Sequence, residues 1–161
     1  MKESNKRIIS GLVFGGLFIS SLYTHVSFAL LTFIFGIIST NEFNKLTKQK
    51  GIGYYIVFSV IYIYFALTEY LLNINNQPNS WFNDLKDTLL IFSIFVSLFL
   101  LRDLFSNKNL ISVLIKKYFR FIFYITSSFV FIYLIANFNG FYDPSIILGC
   151  FILIWVNDSF A

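Results

Sequence analysis

The chain has 161 residues, of which 57% are apolar, 21% are Phe, Tyr or Trp and only 12% are charged; its mean hydropathy is +0.74. Twelve Lys and Arg with eight Asp and Glu cannot cover the exterior of a water-soluble domain of this length, so a soluble globule, a disordered chain and a disulfide scaffold are excluded. The net charge of +4 does not mark a nucleic-acid partner either, because the basic residues form short clusters between apolar runs and read as topology signals.

Residues 1–7 carry Lys2, Lys6 and Arg7 ahead of an apolar run, which alone would fit the opening of a secretory signal peptide. The continuation argues otherwise. Residues 8–41 hold 34 uncharged positions, about 51 Å of helix against a hydrocarbon core of about 30 Å. One straight helix would tilt by roughly 54°, beyond the usual range of about 0 to 40°. Two spans, 8–23 and 26–41, fit better, with the turn at Tyr23-Thr24-His25. His25, the only histidine, reads as a solvated or headgroup-level turn residue rather than a catalytic one. Gly11 and Gly15 form a G-x-x-x-G pattern, with Ser10 before it and Gly16 beside it, a surface suited to close approach of another helix.

Four further spans are predicted at 52–72, 86–105, 120–140 and 144–161. The apolar centre of the fourth, from Thr88 to Leu101, is short; Lys86 and Arg102 are expected to snorkel from its ends, with Leu85, Leu104 and Phe105 extending it. Glu69 reads as an interfacial carboxylate, and Trp81 and Phe82 in the polar loop 73–87 as headgroup-level aromatics. Cys150 has no intrachain partner and reads as lipid-facing or packed. The fold class is therefore all-α: a polytopic integral membrane helical bundle with about six transmembrane helices.

Orientation follows from Lys and Arg. The N-terminus, the segment after the second span and residues 102–120 together hold eleven, while the alternate segments hold only Lys86. By the positive-inside rule the N-terminus and the end of the sixth span face the cytoplasm. Asp143-Pro144 reads as the start of that last helix, Asp143 at the N-cap and Pro144 at the first helical position. From Pro144 to Asp158 is only about 21 Å, short of a crossing. The expectation is an N-terminal portion of a longer protein, cut within its sixth helix.

Ionised side chains within a span are costly and default to functional candidates. Asp158 is the better of two, the other being Glu69: it follows Trp155 by three residues, is flanked by Asn157 and Ser159, and falls near the cytoplasmic end of its span. From spacing alone, a functional site and simple interfacial placement remain equally open.

Three patches carry a resemblance. Trp155-Val156-Asn157-Asp158-Ser159-Phe160-Ala161 resembles the W-x-x-D-[ST]-x-A-Y motif of the bacterial phosphatidate cytidylyltransferases, the CDP-diacylglycerol synthases. Lys6-Arg7-Ile8-Ile9-Ser10-Gly11 is similar to that family's basic, small-residue opening, and Asn41-Glu42-Phe43-x-x-Leu46 to its E-[FW]-x-x-L element after the second helix. The patches stand in the family's order and span the whole chain. Phe160 stands where many members have Gly, and the family's Lys, Arg and Asp-rich signature is not among these residues. The resemblance implies a nucleotidyltransferase of the bacterial inner membrane that converts CTP and phosphatidate to CDP-diacylglycerol and pyrophosphate, with Mg2+ as cofactor. It implies that Asp158 is a catalytic residue and a metal or CTP ligand, with Ser159 as its helper. The remaining Mg2+ ligands would come from residues outside this chain, which alone is expected to be inactive. The lipid bilayer is the other partner, and a homodimer is compatible with the reading. The rival is a non-enzymatic multi-pass protein, a transporter subunit or assembly factor, supported by helices that carry no chemistry of their own. The interiors of the first five spans hold only Ser, Thr and Tyr, with Asn137 near an end, which argues against an ion path.

Overall fold

The computed structural model describes residues 3–48, 51–75, 79–105, 117–138 and 140–160, with side chains from residue 11 onward except at 12, 103, 104, 117, 155 and 158–160. Among these residues there is no strand. Six helical rods follow one another: α1 Glu3–Ser21, α2 His25–Leu46, α3 Gly53–Asn75, α4 Ser80–Phe105, α5 over 117–135 and α6 Pro144–Phe160. Each predicted apolar run is helical, and three stretches, His25–Leu46, Gly53–Asn75 and Tyr118–Ile135, are long and apolar enough to cross a membrane.

The break between α1 and α2 falls where Tyr23-Thr24-His25 interrupts the sequence. Thr24 is extended (φ −131°, ψ 146°) and caps α2: its Oγ1 accepts from the Ser27 N–H at 3.2 Å, while Ser27 Oγ accepts from the Thr24 N–H at 3.3 Å. Ser27 Oγ also donates to the Ser21 carbonyl at 2.6 Å, closing the hairpin.

α2 is inverted relative to a soluble helix. Its buried residues are Phe28, Thr32, Gly36, Thr40 and Asn44, spaced by four, whereas Val26, Leu30, Ile34 and Ile38 are exposed. Small and weakly polar residues inside with branched aliphatics outside suit a helix whose solvent is lipid. The buried hydroxyls bond back to their own helix, Thr40 Oγ1 to the Gly36 carbonyl at 2.8 Å and Thr32 Oγ1 to that of Phe28 at 2.9 Å. Thr32 also hydrogen-bonds Tyr62 of α3, whose hydroxyl reaches the Ala29 carbonyl at 3.0 Å.

α3 answers this stripe with rings. Tyr54, Phe58, Tyr62 and Phe65 are buried, and the Phe58 ring lies on Gly36 so closely that any Cβ there would overlap it. The helix approach that a small-residue pattern promises is therefore realised at Gly36. At Gly11, Gly15 and Gly16 a methyl group would meet nothing within 4 Å among the described residues, so among these no helix approaches closely there.

α5 completes the core against α2 and α3, with α4 packed along it. It is α-helical over Lys117–Arg120, π-helical over Phe121–Thr126 and α-helical again over Ser127–Ile135. The wider π turns carry Phe121 into the α2–α3 seam, its ring 5.3 Å from Phe43 and 5.1 Å from Tyr54. α5 stops at Ile135, short of the predicted 140. The Asn137 amide donates to the Tyr133 carbonyl at 2.9 Å, and Gly140 turns the chain at φ +76°.

α4 begins at Ser80, earlier than predicted; Phe82 is fully buried, its ring 5.5 Å from that of Phe65, whereas Trp81 is exposed. With 26 residues the helix measures about 39 Å. α6 starts as expected, the Ser145 N–H donating to Asp143 Oδ1 at 2.9 Å. It returns along α1, with the Phe151 and Phe18 rings stacked at 4.3 Å; Cys150 is exposed.

Candidate functional site

The alternation of helices gathers the connections into two groups. The three Lys- and Arg-poor connections meet at one end, the aromatic end. Here the Tyr142 hydroxyl donates to the Leu22 carbonyl at 3.0 Å, Asn73 Nδ2 donates to Asn137 Oδ1 at 3.2 Å, and Tyr133 Oη lies 2.6 Å from His25 Nε2. The His25 ring stacks on Tyr70 at 5.1 Å and meets Tyr142 edge-on at 5.3 Å. Burial pushes the Tyr142 phenol up from its ordinary value. His25 is therefore a tie between connections rather than a solvated turn residue.

Glu69, read as an interfacial carboxylate, is 7% exposed, and its Oε2 accepts from Lys86 Nζ at 3.3 Å. Lys86 does not snorkel away; it bridges α3 and α4 above the Phe82 ring, 4.9 Å from its centroid. A cleft of about 380 Å³ opens between α2 and α3 just below. It is apolar except for His25 and tyrosines, and the Tyr62 and Tyr133 hydroxyls are already engaged. Neither cation nor carboxylate lines it, so it offers nothing to a triphosphate.

The opposite, basic end is built differently. The last turns of α2 carry Asn41, Glu42, Asn44 and Lys45, and the chain leaves through Lys48 at φ 53°. Lys45 Nζ holds Glu42 Oε1 at 2.8 Å on the surface, and the Tyr55 hydroxyl donates to Asn41 Oδ1 at 3.2 Å. Phe43, Tyr54, Tyr118 and Phe121 form the floor, with Tyr54 stacked on Tyr118 at 4.4 Å. Not every polar group at this end is satisfied in this way. Among the described residues, the buried side-chain atoms without a hydrogen-bond partner are Asn44 Oδ1, Arg120 Nε and Thr126 Oγ1. Two lie at this end, and Thr126 is six residues, about 9 Å or less, further along α5.

Two cavities flank these atoms. One, of about 790 Å³, is lined by Asn41, Asn44, Lys45, Lys48, Gly51, Ile52 and Tyr55. The other, of about 420 Å³, lies between α2, α4 and α5 and is lined by Ile38, Ser39, Glu42, Phe43, Leu46, Leu100, Arg120, Tyr124 and Ile125. Buried polar atoms that protein leaves unpaired beside open volume are a common mark of a place for a polar ligand.

Asp158 and Ser159 fall in the last turns of α6, and their side chains lie outside the described residues. The helix direction places that turn seven residues past the Phe18–Phe151 stack, toward the basic end. No group of three His, Cys, Asp or Glu side chains among the described residues forms a metal cluster. By themselves the described side chains do not complete a Mg2+ shell. Sequence reasoning passed over Asn44 and Arg120. The signal was present in part, since Arg120 directly precedes the apolar run Phe121-Ile122-Phe123.

No curated protein and no solved structure matches the chain. A family model does, that of the cytidylyltransferase family, over residues 5–161. That match covers the basic opening, the Glu42 element and the Asp158 segment together, and the chain belongs to the cytidylyltransferase family, whose members are CTP-using nucleotidyltransferases.

Proposed function

We propose that the protein is a phosphatidate cytidylyltransferase of the bacterial inner membrane, making CDP-diacylglycerol and pyrophosphate from phosphatidate and CTP. In that reaction a phosphatidate oxygen attacks the α-phosphorus of CTP and pyrophosphate leaves. The observation that carries the reading is the pair of buried polar atoms without a partner, Asn44 Oδ1 and Arg120 Nε, at the end of the bundle that carries Lys45 and Lys48; the Asp158 turn of α6 is proposed to approach that end. CTP is water-borne and phosphatidate lies in a leaflet, so the reaction belongs where helix ends meet the interface. The excess of Lys and Arg assigns that end to the cytoplasm, with six spans crossing the bilayer.

In this reading Asp158 helps hold the CTP phosphates, through Mg2+ when the ion is bound, with Ser159 beside it. Mg2+ would neutralise phosphate charge as the new bond forms. A single carboxylate does not complete its shell, so residues 1–161 alone are proposed to enter the membrane without turning over substrate. The test is formation of labelled CDP-diacylglycerol from labelled CTP by the full-length protein in phosphatidate-containing vesicles. Dependence on added phosphatidate supports the reading, while transfer to another acceptor, with phosphatidate inert, refutes it.

A further inference from the structure

We propose that the crevice between α2, α4 and α5 docks the phosphate monoester headgroup of a membrane lipid, with Arg120 holding the phosphate and Ile38, Leu100 and Ile125 flanking the acyl chains. This rests on the reading of phosphatidate as acceptor and assigns that substrate a place.

Three observations carry it. The first is Arg120, which lines the crevice half-buried, its Nε shielded and without a partner. A guanidinium with an unpaired buried N–H is costly, and a phosphate is the oxygen anion whose geometry its fork matches. The carboxylate that shares the crevice does not serve: Glu42 is bound by Lys45 at 2.8 Å, with its side chain 59% exposed. The second is the Glu42 element. Its three specified positions, Glu42, Phe43 and Leu46, all line this one crevice, so the motif frames the cavity. The third is polarity. Apart from Arg120 and Glu42 the walls are mostly apolar, and they open on the flank of the bundle, where Ile38 and Tyr124 are half exposed. A nucleotide base and ribose would lose hydrogen bonds there, whereas acyl chains reach it from the leaflet.

The experiment uses the full-length protein in detergent micelles, with lipid retention read by native mass spectrometry. The probes are dioleoylphosphatidate, dioleoylphosphatidylcholine and inorganic phosphate. The parent is expected to retain phosphatidate about tenfold better than phosphatidylcholine, Arg120→Gln to lose that preference, and Arg120→Lys to keep most of it. Leu100→Trp, which fills the crevice without touching the charge, should reduce retention as well, and guards against misfolding of the Arg120 variants. Unchanged preference in both Arg120→Gln and Leu100→Trp overturns the proposal. Displacement of phosphatidate by millimolar inorganic phosphate would make the site one for free phosphate and overturn the lipid assignment. Arg120-dependent retention in a protein without phosphatidate-dependent CTP turnover supports the crevice and sinks the synthase reading. Turnover with Arg120-independent retention does the reverse.

Discussion

At the aromatic end three connections are laced to one another: His25 to Tyr133, Tyr142 to Leu22, Asn73 to Asn137 and Lys86 to Glu69. At the basic end the corresponding polar groups are left open, with Asn44 Oδ1 and Arg120 Nε buried and unpaired beside two cavities. The two ends differ in Lys and Arg, but Asn and Tyr side chains occur at both, so charge is not the whole of the contrast. What also differs is satisfaction: the first end has its hydrogen bonds supplied by the protein and is suited to holding helices together, whereas the second retains capacity for groups from outside.

The sharpest way to break this contrast is to alter each end and read activity and stability separately. Asp158→Asn in the full-length protein should lower CDP-diacylglycerol formation by about 100-fold or more with membrane insertion unchanged; turnover equal to the parent's would remove Asp158 from the site. At the other end, Lys86→Met leaves Glu69 buried and unpaired, and should cost about 2–4 kcal/mol of stability. Thermal unfolding in detergent should show this as a lowered midpoint, which the second substitution Glu69→Gln should largely restore. Between the two ends, Gly36→Ala drives a methyl into the buried Phe58 ring, and about 1–3 kcal/mol is expected to be lost. The same change at Gly15, which has open space, should move the midpoint little. A smaller loss than at Gly36 is assigned to Tyr133→Phe, which removes the hydroxyl's hydrogen bonds to His25 and the Ala66 carbonyl and should cost about 1 kcal/mol in the same assay. Specific activity should stay at the parent's level; a large fall there would mean that the aromatic end takes part in the chemistry.

Much of the fold was legible in the residues themselves. The 34-residue uncharged run was too long for one span, and the Tyr23-Thr24-His25 break is where α1 gives way to α2. Asp143-Pro144 starts α6 because a carboxylate and a fixed φ suit a helix start. What sequence could not expose was pairing between runs. Glu69 and Lys86 are seventeen positions apart in different helices, so each was assigned to the interface alone, although together they form a buried bridge. The same holds for the glycines: Gly11 and Gly15 carry the recognisable pattern, whereas Gly36, which has no such pattern, faces a ring. The π turns at Phe121–Thr126, which follow Arg120 directly, have no local signature in Phe-Ile-Phe-Tyr-Ile-Thr. The candidate site was therefore half visible. The Asp158 segment announces itself by motif, whereas Arg120 stands out only once the surrounding helices show that no described residue answers its buried N–H.

The central claim is that the basic end, with its open polar groups, faces the compartment that holds CTP. Single-cysteine labelling in a Cys150→Ser background tests it directly, with Lys48→Cys reporting the basic end and Ser80→Cys the aromatic end. In intact cells treated with a membrane-impermeant maleimide, Ser80→Cys should react at once and Lys48→Cys only after permeabilisation. Reaction of Lys48→Cys from outside, with Ser80→Cys protected, would contradict the account.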